Sequence, residues 1–268
     1  MTFRTFLPVV TTAYAPPPPP SKRGLAGVVW TEGNHEATKQ IVSRCDWFHN
    51  WDVGGQVVGL EFVPFLWGWS WGGIDNMLAR AVDVLGRNYS GNLLWVNEPN
   101  DGNQANMTPA EAVRFYQLTR ESLPHARLIG PNMSFYNEQK WMGDASWMRL
   151  FVQELHAQGV TADFAGMAIH NYEQEPNEHI RLHHAWVSLL SQLGFGHLPL
   201  WVTEWGIDHR HPEARQWTAE LCQFYDGTPS VYRHAWYIHH AWAGDTFPIQ
   251  SYLHSGNVIT ASGEGWLG

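Results

Sequence analysis

The chain has 268 residues, a formal net charge of −9 and 44% hydrophobic residues. That hydrophobic content argues against disorder for the chain as a whole, and the length fits one (β/α)8 barrel of about 250 residues or two smaller domains. The negative charge argues against nucleic acid and anionic lipid as partners. No apolar run reaches the roughly 18 residues of a membrane-spanning helix, so a neutral substrate suits this composition best.

The first residues predict an extension ahead of the folded domain. The uninterrupted prolines from Pro16 to Pro20 favour a stiff, extended linker without internal hydrogen bonds. We therefore divide the chain into an extension of residues 1–21 and a folded domain of residues 22–268. The apolar stretch before the prolines is short and is interrupted by Pro8, so it gives weak support for a secretion signal.

From Leu25 onward, short apolar runs alternate with longer helical patterns. Almost continuously apolar runs are typical of parallel strands that are buried on both faces. Such strands separated by helices favour the α/β class and a single (β/α)8 TIM barrel. The predicted strands are Leu25–Trp30, Cys45–Trp51, Val57–Trp67, Asn92–Asn97, Arg127–Pro131, Phe164–His170, Pro199–Glu204 and Val231–Trp242.

The segments between these strands carry helix signals. Apolar residues from Ile74 to Leu85 recur with a period near 3.6 residues. Thr108, Pro109 and Glu111 supply a cap, a first-turn proline and an acidic third residue. The predicted helices are Ile74–Gly86, Thr108 to about Leu123, Asp144–Gln158, Pro176–Leu193 and Pro212–Tyr225.

Tryptophan is the unusual feature of the composition, with 16 residues. These residues either fill a core or form a surface that stacks on the apolar faces of sugar rings. Trp67, Trp69 and Trp71 belong to a glycine-containing loop after the third strand, where they either stack on a glycan or pack beneath the loop. The two cysteines, Cys45 and Cys222, share no recognised spacing, so we expect two unpaired, buried thiols.

Two glutamates are placed where predicted strands end. Glu98 follows the fourth strand and Glu204 ends the seventh. Because the active site of a (β/α)8 barrel lies at these C-terminal strand ends, the two carboxyls are expected at one rim. Cleavage of a glycosidic bond needs such a pair, since one carboxyl protonates the departing oxygen while the other attacks the anomeric carbon. The preceding Asn97 has an amide that is placed to hold a sugar hydroxyl.

The motifs Asn97-Glu98-Pro99 and Thr203-Glu204-Trp205-Gly206 resemble those of the clan A retaining glycoside hydrolases. The resemblance implies that Glu98 is the acid/base, that Glu204 is the nucleophile and that Asn97 binds the 2-hydroxyl. Within the clan, residues 22–268 are most similar to glycoside hydrolase family 128, whose characterised members are mainly β-1,3-glucanases. The segments that carry this similarity are Lys22–Gly24, Trp47–Trp51, Glu61–Gly68 and Gly256–Gly263.

The resemblance also implies supporting residues around the carboxyls. Tyr172 matches a tyrosine that hydrogen-bonds the nucleophile, and Trp242 matches the aromatic floor beneath the cleaved sugar, with a core tryptophan as the alternative. His170 either orients the site or is a buried histidine bonded to backbone. The chain departs from the clan pattern because no arginine is evident at the end of the second strand. The predicted substrate-binding residues are Asn97, Asn50, Trp51, Trp67, Trp69, Trp71, His170, Tyr172, Trp205 and Trp242.

Other chemistries find little support in the sequence. The adjacent pairs His183–His184 and His239–His240, and the loop Asp208–His211, lack the ligand spacing of a zinc site. No glycine-rich nucleotide loop or G-x-S-x-G elbow is present, so we expect no metal, no cofactor and no serine nucleophile. Glu61 interrupts the third strand well before its end, so we expect a buried structural ion pair there instead of a third catalytic acid.

These features predict a monomeric, endo-acting β-1,3-glucanase that works by double displacement on a β-glucan or related oligosaccharide. Another clan A activity, such as a β-xylosidase or an endo-β-1,4-glycanase, is the first alternative. A catalytically silent barrel that binds glycans through its tryptophans is the second. Because polymeric glucans lie outside cells, we expect a secreted protein.

Overall fold

The computed structural model describes residues 22–27, 36–57, 59–68, 73–135, 146–240 and 247–268. The predicted extension of residues 1–21 lies outside this part of the chain. The strands are β1 (Arg23–Ala26), β2 (Trp47–His49), β3 (Glu61–Phe62), β4 (Phe65–Leu66), β5 (Asn92–Trp95), β6 (Arg127–Ser134), β7 (Gly166–Asn171), β8 (Leu200–Trp205), β9 (Val231–Tyr237), β10 (His254–Ser255) and β11 (Val258–Ile259). The helices are α1 (Glu36–Val42), α2 (Ile74–Leu85), α3 (Pro109–Ser122), α4 (Trp147–Ala157), α5 (Pro176–Gln192), α6 (Ala214–Gly227) and α7 (Ala261–Leu267).

The main sheet is parallel and curled, with the strand order β3-β2-β1-β9-β8-β7-β6-β5-β4. Helices separate most of its strands along the chain, so the predicted α/β class is confirmed. The third predicted strand, Val57–Trp67, is present as the two short strands β3 and β4. These two strands stand at opposite ends of the sheet order, although only Val63 and Pro64 separate them in the chain.

The predicted helices agree with the structure to within a few residues. Helix α3 begins with the expected capping box, in which the Thr108 hydroxyl accepts from the Glu111 backbone and the Glu111 carboxylate accepts from the Thr108 backbone. Three elements have no counterpart in the prediction, namely α1, the β10–β11 hairpin and α7. Helix α7 contains Gly263 and Gly265, which disfavour a helix by propensity. Both glycines are needed because a Cβ atom would collide with the backbone of Leu253 or Arg215.

Side chains inside the curl of the sheet form one packed layer. The main-sheet strands and the Val63 linker contribute to it, with small residues beside large ones: Ala26, Trp47, Val63, Phe65, Leu94, Ile129, Ala168, Trp201 and Ala235. A second, larger core lies between the sheet and the helices. Fully buried tryptophans belong to both cores, namely Trp47, Trp95, Trp186, Trp201, Trp205, Trp236 and Trp266. The core interpretation therefore holds for these seven.

Three smaller expectations concern the periphery of the sheet. Cys45 and Cys222 are free and buried, as predicted. Glu61 pairs with Arg233 at 2.5 Å, but its side chain is 49% exposed, so the expected ion pair exists and only its arginine is buried. No helix within the described ranges is long and apolar enough to cross a membrane.

The first strand is tied to the last part of the chain by a charged cluster. Asp226 accepts hydrogen bonds from the Arg23 guanidinium at 2.7 Å and from the His234 ring at 3.0 Å. Burial opposes ionisation of Asp226, but the hydrogen bonds from His234 and Arg23 lower its pKa to about 2. Since the pKa is depressed in the folded state, this stabilisation is present above the unfolded pKa and is lost as the pH falls through about 2.

We expect Asp226→Asn to lower the free energy of unfolding at pH 7 by about 1 kcal/mol, a value reduced for solvent screening of this partly exposed carboxylate. The difference from the wild type should disappear as the pH falls from about 4 towards 2, as measured by urea denaturation. Glu178→Gln removes an exposed ion pair with Arg181 and serves as the control with little effect. A destabilisation by Asp226→Asn that persists unchanged at low pH would contradict this account.

Candidate active site

Glu98 and Glu204 meet at the C-terminal ends of the parallel strands, as their sequence positions predict. Glu98 follows β5 and Glu204 belongs to β8. Both side chains are almost fully buried, with 8% and 6% of each residue exposed. The closest oxygen atoms of the two carboxyls lie within 4.8 Å of each other. Two carboxylates this close and this buried repel each other when both are ionised.

The backbone that presents Glu98 is strained. Val96 and Glu98 have φ angles of 51° and 41°, in the left-handed region that β-branched and bulky residues rarely adopt. The Glu98 amide donates to the carbonyl oxygen of Asn132 at 2.7 Å, which holds the strained segment against β6. The carboxylate is thereby turned into the site instead of continuing the strand direction.

Two neutral donors hold the Glu204 carboxylate from different sides. The Trp51 indole donates to Oε1 at 2.6 Å, and the Tyr172 hydroxyl donates to Oε2 at 2.6 Å. Burial raises the pKa of Glu204, His170 lowers it, Glu98 raises it, and the bonds from Tyr172 and Trp51 lower it. The net direction is upward, because desolvation is the largest of these effects.

His170 lies between the two carboxyls and is fully buried. Its Nδ1 is 2.7 Å from Glu98 Oε1 and 3.4 Å from Glu204 Oε2. Although burial alone would lower it, the charges of Glu204 and Glu98 raise the pKa of His170 above its ordinary value. The two carboxyls therefore favour the protonated form of this imidazole.

A cavity of about 230 Å³ opens over the two carboxyls. Asn97 lines this cavity and donates from Nδ2 to Gln104 at 3.1 Å, while its Oδ1 has no hydrogen-bond partner. A buried amide oxygen of this kind is a ready acceptor for a ligand hydroxyl. The cavity is lined by Trp51, Trp67, Asn97, Glu98, Gln104, Tyr172, Glu204, Tyr237 and Phe247.

A second, larger cavity of about 480 Å³ adjoins the first. The two share Glu98, Gln104, Tyr172 and Phe247, whereas Glu204 lines only the first. The remaining lining combines apolar and acidic side chains: Asp101, Asn103, Ser134, Phe135, Glu173, Pro248 and Ile249.

The structure brings most of the described predicted residues together. Trp51, Trp67, Asn97 and Tyr172 line the first cavity with the two glutamates, and His170 bonds directly to Glu98. Trp69, Trp71 and Trp242 lie outside the described residues.

Asn50 and Trp205 neither line these cavities nor bond to the carboxyls, and His170 lines neither cavity although it bonds to Glu98. Trp205 is fully buried in the layer between sheet and helices, with its ring 4.7 Å from that of Trp236, so the expectation that it walls the site is corrected. The reason is the alternation of side chains along a strand, which turns Trp205 away from the face that Glu204 occupies. Asn50 uses its amide within its own turn, where it bonds to the Gly54 carbonyl and the Asp52 amide.

Sequence reasoning missed Gln104, Tyr237 and Phe247. Tyr237 is the last residue of β9, and predicting that strand as far as Trp242 hid this position. Gln104 is close to Glu98 in the chain, and this closeness is the sequence signal that could have identified it. Phe247 belongs to a loop without a periodic pattern and offers no sequence signal.

Known proteins resemble this chain in sequence and in fold. A family model described as the glycosyl hydrolase catalytic core matches residues 27–266. A subgroup I GH128 endo-β-1,3-glucanase from Amycolatopsis mediterranei, in complex with laminaripentaose, is similar at a TM-score of 0.69 and 21% identity, over 92% of this chain and 98% of that chain. No curated protein sequence matches the chain.

Two further GH128 structures show the same similarity. A curdlan-specific exo-β-1,3-glucanase of subgroup III from Blastomyces gilchristii has a TM-score of 0.65 and 24% identity, over 91% of this chain and 97% of that chain. A subgroup II endo-β-1,3-glucanase from Pseudomonas viridiflava has a TM-score of 0.65 and 22% identity, over 92% and 96%. The predicted resemblance to family 128 is thus confirmed for the fold.

The hydrogen bond from Tyr172 predicts a measurable change at Glu204. Because a bond to the charged form lowers a carboxyl pKa, Tyr172→Phe should raise the pKa of Glu204 further. Carbon NMR of protein labelled at the glutamate carboxyls, assigned with Glu204→Gln, measures this titration. Tyr232→Phe, at a ring that packs on Trp201, is the matched control. An unchanged Glu204 titration in Tyr172→Phe would show that the bond does not stabilise the carboxylate.

Proposed function

This chain belongs to the glycosyl hydrolase catalytic core family, and on that basis we propose that it is a retaining endo-β-1,3-glucanase. In this proposal Glu98 is the general acid/base and Glu204 is the nucleophile. The observation that carries it is the close approach of two buried carboxyls, within 4.8 Å, at the floor of one cavity.

The spacing of the carboxyls supports retention of configuration. Retaining glycosidases hold their two carboxyls about 5–5.5 Å apart, whereas inverting enzymes need about 6.5–9.5 Å to admit a water molecule. A closest separation within 4.8 Å suits direct attack by one carboxylate better than attack by an intervening water.

The hydrogen bonds support the assignment of roles within the pair. Glu204 accepts bonds from Trp51 and Tyr172, which favour its ionised form and aim its oxygens. Burial and Glu98 act in the opposite direction on the pKa of Glu204. We assign the nucleophile to Glu204, because the two donors stabilise the negative charge on its carboxylate, and the acid/base to Glu98, which lines both cavities.

The reaction then proceeds by double displacement. Glu204 attacks the anomeric carbon while Glu98 gives its proton to the glycosidic oxygen, and the bond between that carbon and oxygen breaks. The resulting glycosyl ester on Glu204 is attacked by water, from which Glu98 takes a proton. The ester bond breaks, Glu204 leaves as a carboxylate, and the sugar is released with its original configuration.

The two cavities support cleavage within a chain of sugars. In this proposal Glu98 acts on the oxygen that joins two sugars, and its position between the cavities supports binding of the attacked sugar in the first cavity, over Glu204. The leaving sugar then occupies the second. Room on both sides of the cleaved bond favours endo action. Asn97 Oδ1, which has no partner, is placed to accept from a hydroxyl of the attacked sugar.

The choice of a β-1,3-glucan is supported by the fold similarity to GH128 enzymes, one of them in complex with laminaripentaose. A neutral polymer also suits a chain with a net charge of −9. Because such polymers lie outside cells, we propose that the protein acts there as a secreted monomer.

We also propose that the sheet closes into the predicted (β/α)8 barrel, with residues 61–66 as its third strand. The first half of this segment pairs with β2 and the second half with β5. Backbone bonds from Val63 to Phe48 and from Leu94 to Pro64, both 2.9 Å, continue the pairing through the middle of the segment.

Product analysis on laminarin tests the proposed activity. The wild type should release a series of oligosaccharides, and proton NMR of the first products should show the β anomer. Glu204→Gln should abolish turnover, and Glu98→Ala should lower the rate about 10²–10⁴-fold. Glu178→Gln, on an exposed helix face, is the control with normal activity.

A panel of xylan, mannan and β-1,4-glucan separates the alternatives. Products from one of these and none from laminarin would replace the glucanase assignment with another clan A activity. Binding to glycans without any product would favour a silent barrel. Activity should be unchanged after dialysis against EDTA, because the mechanism uses no metal ion.

A further inference from the structure

One buried side chain contacts both strands that carry the catalytic carboxyls. Asn132, in β6, is fully inaccessible to solvent and lies beneath the carboxyls. Its amide nitrogen bonds to the strand of Glu98, and its amide oxygen bonds to the residue before Glu204. Asn132 lines neither cavity.

On the Glu98 side, Asn132 supplies a hydrogen bond that the sheet itself lacks. The Arg127 amide donates to the Gly91 carbonyl, and this register, continued by four residues, would pair residue 131 with the Trp95 carbonyl. Residue 131 is proline and has no N–H. Asn132 Nδ2 donates to the Trp95 oxygen at 3.0 Å instead, and to the Val96 oxygen at 3.3 Å.

The backbone of Asn132 reinforces the same contact. Its amide donates to the Val96 carbonyl at 3.0 Å, and its carbonyl accepts from the Glu98 amide at 2.7 Å. The strained residues Val96 and Glu98 are thus bonded to Asn132 through both backbone and side chain. Strained conformations persist only when several contacts hold them in place. These bonds supply such contacts for the segment that contains Val96 and Glu98.

On the Glu204 side, the contact is through Thr203. The Thr203 hydroxyl donates to Asn132 Oδ1 at 2.7 Å, and the Thr203 carbonyl accepts from His49 Nε2 at 2.9 Å. Burial lowers the pKa of His49 to about 3, so the ring is neutral and the nitrogen facing the carbonyl carries its proton. Both ends of the residue before the nucleophile are therefore fixed.

We propose that Asn132 is a positioning residue that sets the separation of the two catalytic carboxyls by joining the strand of Glu98 to Thr203 through one rigid amide. The proposal rests on the roles given above to Glu98 and Glu204. The amide has no freedom to rotate, because carbonyl oxygens need its nitrogen and a hydroxyl needs its oxygen. A change at either end therefore alters the geometry of the pair and leaves the ligand-binding surface in place.

Thr203→Val tests the oxygen end with little change of volume. Removing the hydroxyl should lower kcat about 10- to 100-fold on laminarin, since displacement of a reacting group by about 1 Å costs up to 10²-fold. KM should stay within about twofold, and Thr203→Ser should restore most of the activity. The limbs of the pH–rate profile should draw together, because carboxylates that move apart repel each other less. Thr38→Val, which removes a buried bond to His254, is the matched control with normal kinetics.

Asn132→Asp tests the nitrogen end, because it keeps an acceptor for Thr203 and replaces the amide, which donates to both Trp95 and Val96, with a carboxyl that has at most one O–H to donate. Crystal structures of wild type, Thr203→Val and Asn132→Asp measure the distance between the two carboxyls directly. A longer distance in both variants supports the proposal, while an unchanged distance with normal kcat in Thr203→Val would overturn it. Equal losses in Thr203→Val and Thr38→Val would also overturn it, as a general effect of lost stability.

If the wild type cleaves no glycan, the proposed function fails, and the crystallographic distances still decide the role of Asn132.

Discussion

The close approach of two buried carboxyls is the constraint on which the rest of the site depends. Moving a carboxylate out of water is costly unless it is paired or hydrogen-bonded, and a second carboxyl nearby adds repulsion. Around Glu204, the His170 ring, whose pKa the carboxyls raise, and two neutral donors, Trp51 and Tyr172, offset this cost. Indole and phenol groups add a donor without adding charge, and their apolar rings keep water out. The Trp51 and Tyr172 donors therefore offset part of the cost of burying the Glu204 carboxylate without adding a charge.

The strand ends that carry the two carboxyls have irregular backbone geometry, whereas the strands below them are regular. Below the carboxyls, the strands pack a layer of alternating small and large side chains inside the curl of the sheet. At the rim, Trp51, Val96 and Glu98 all have positive φ angles, each at a cost of about 1–3 kcal/mol. The well-packed base offsets that cost, because it keeps the strand positions fixed while the ends depart from strand geometry. Asn132 lies at the boundary between the two regions, where the regular ladder of hydrogen bonds is interrupted by a proline.

The sequence predicted those parts of the site that follow from strand periodicity and strand ends. Glu98 and Glu204 were found because each terminates an apolar run, and helix α3 was found because its capping signals are local. The prediction that Trp205 lies in the site was wrong because it did not apply strand alternation. Side chains alternate along β8, and Trp205 faces the helices. Phe247 had no local signal at all, because its place at the site is set by a loop and by contacts with Tyr172 and Tyr237. Long-range contacts of this kind depend on how the whole sheet curls. A short stretch of sequence gives no information about that curl.

The buried carboxyl pair and the second cavity come from different parts of the fold, and this separation bears on the proposed specificity. Glu98, His170 and Glu204 are held by strands or their immediate ends, and their spacing is set inside the sheet. The second cavity is formed largely by loops, including residues 101–104 and 247–249. Loops accept substitutions and insertions that strands do not. Solved structures of 19–24% identity share this fold, and changes confined to such loops leave the strands that hold the carboxyls in place. We therefore propose that the loop around Phe247 sets the preference for chain length, separately from the carboxyl spacing that we assign to Asn132.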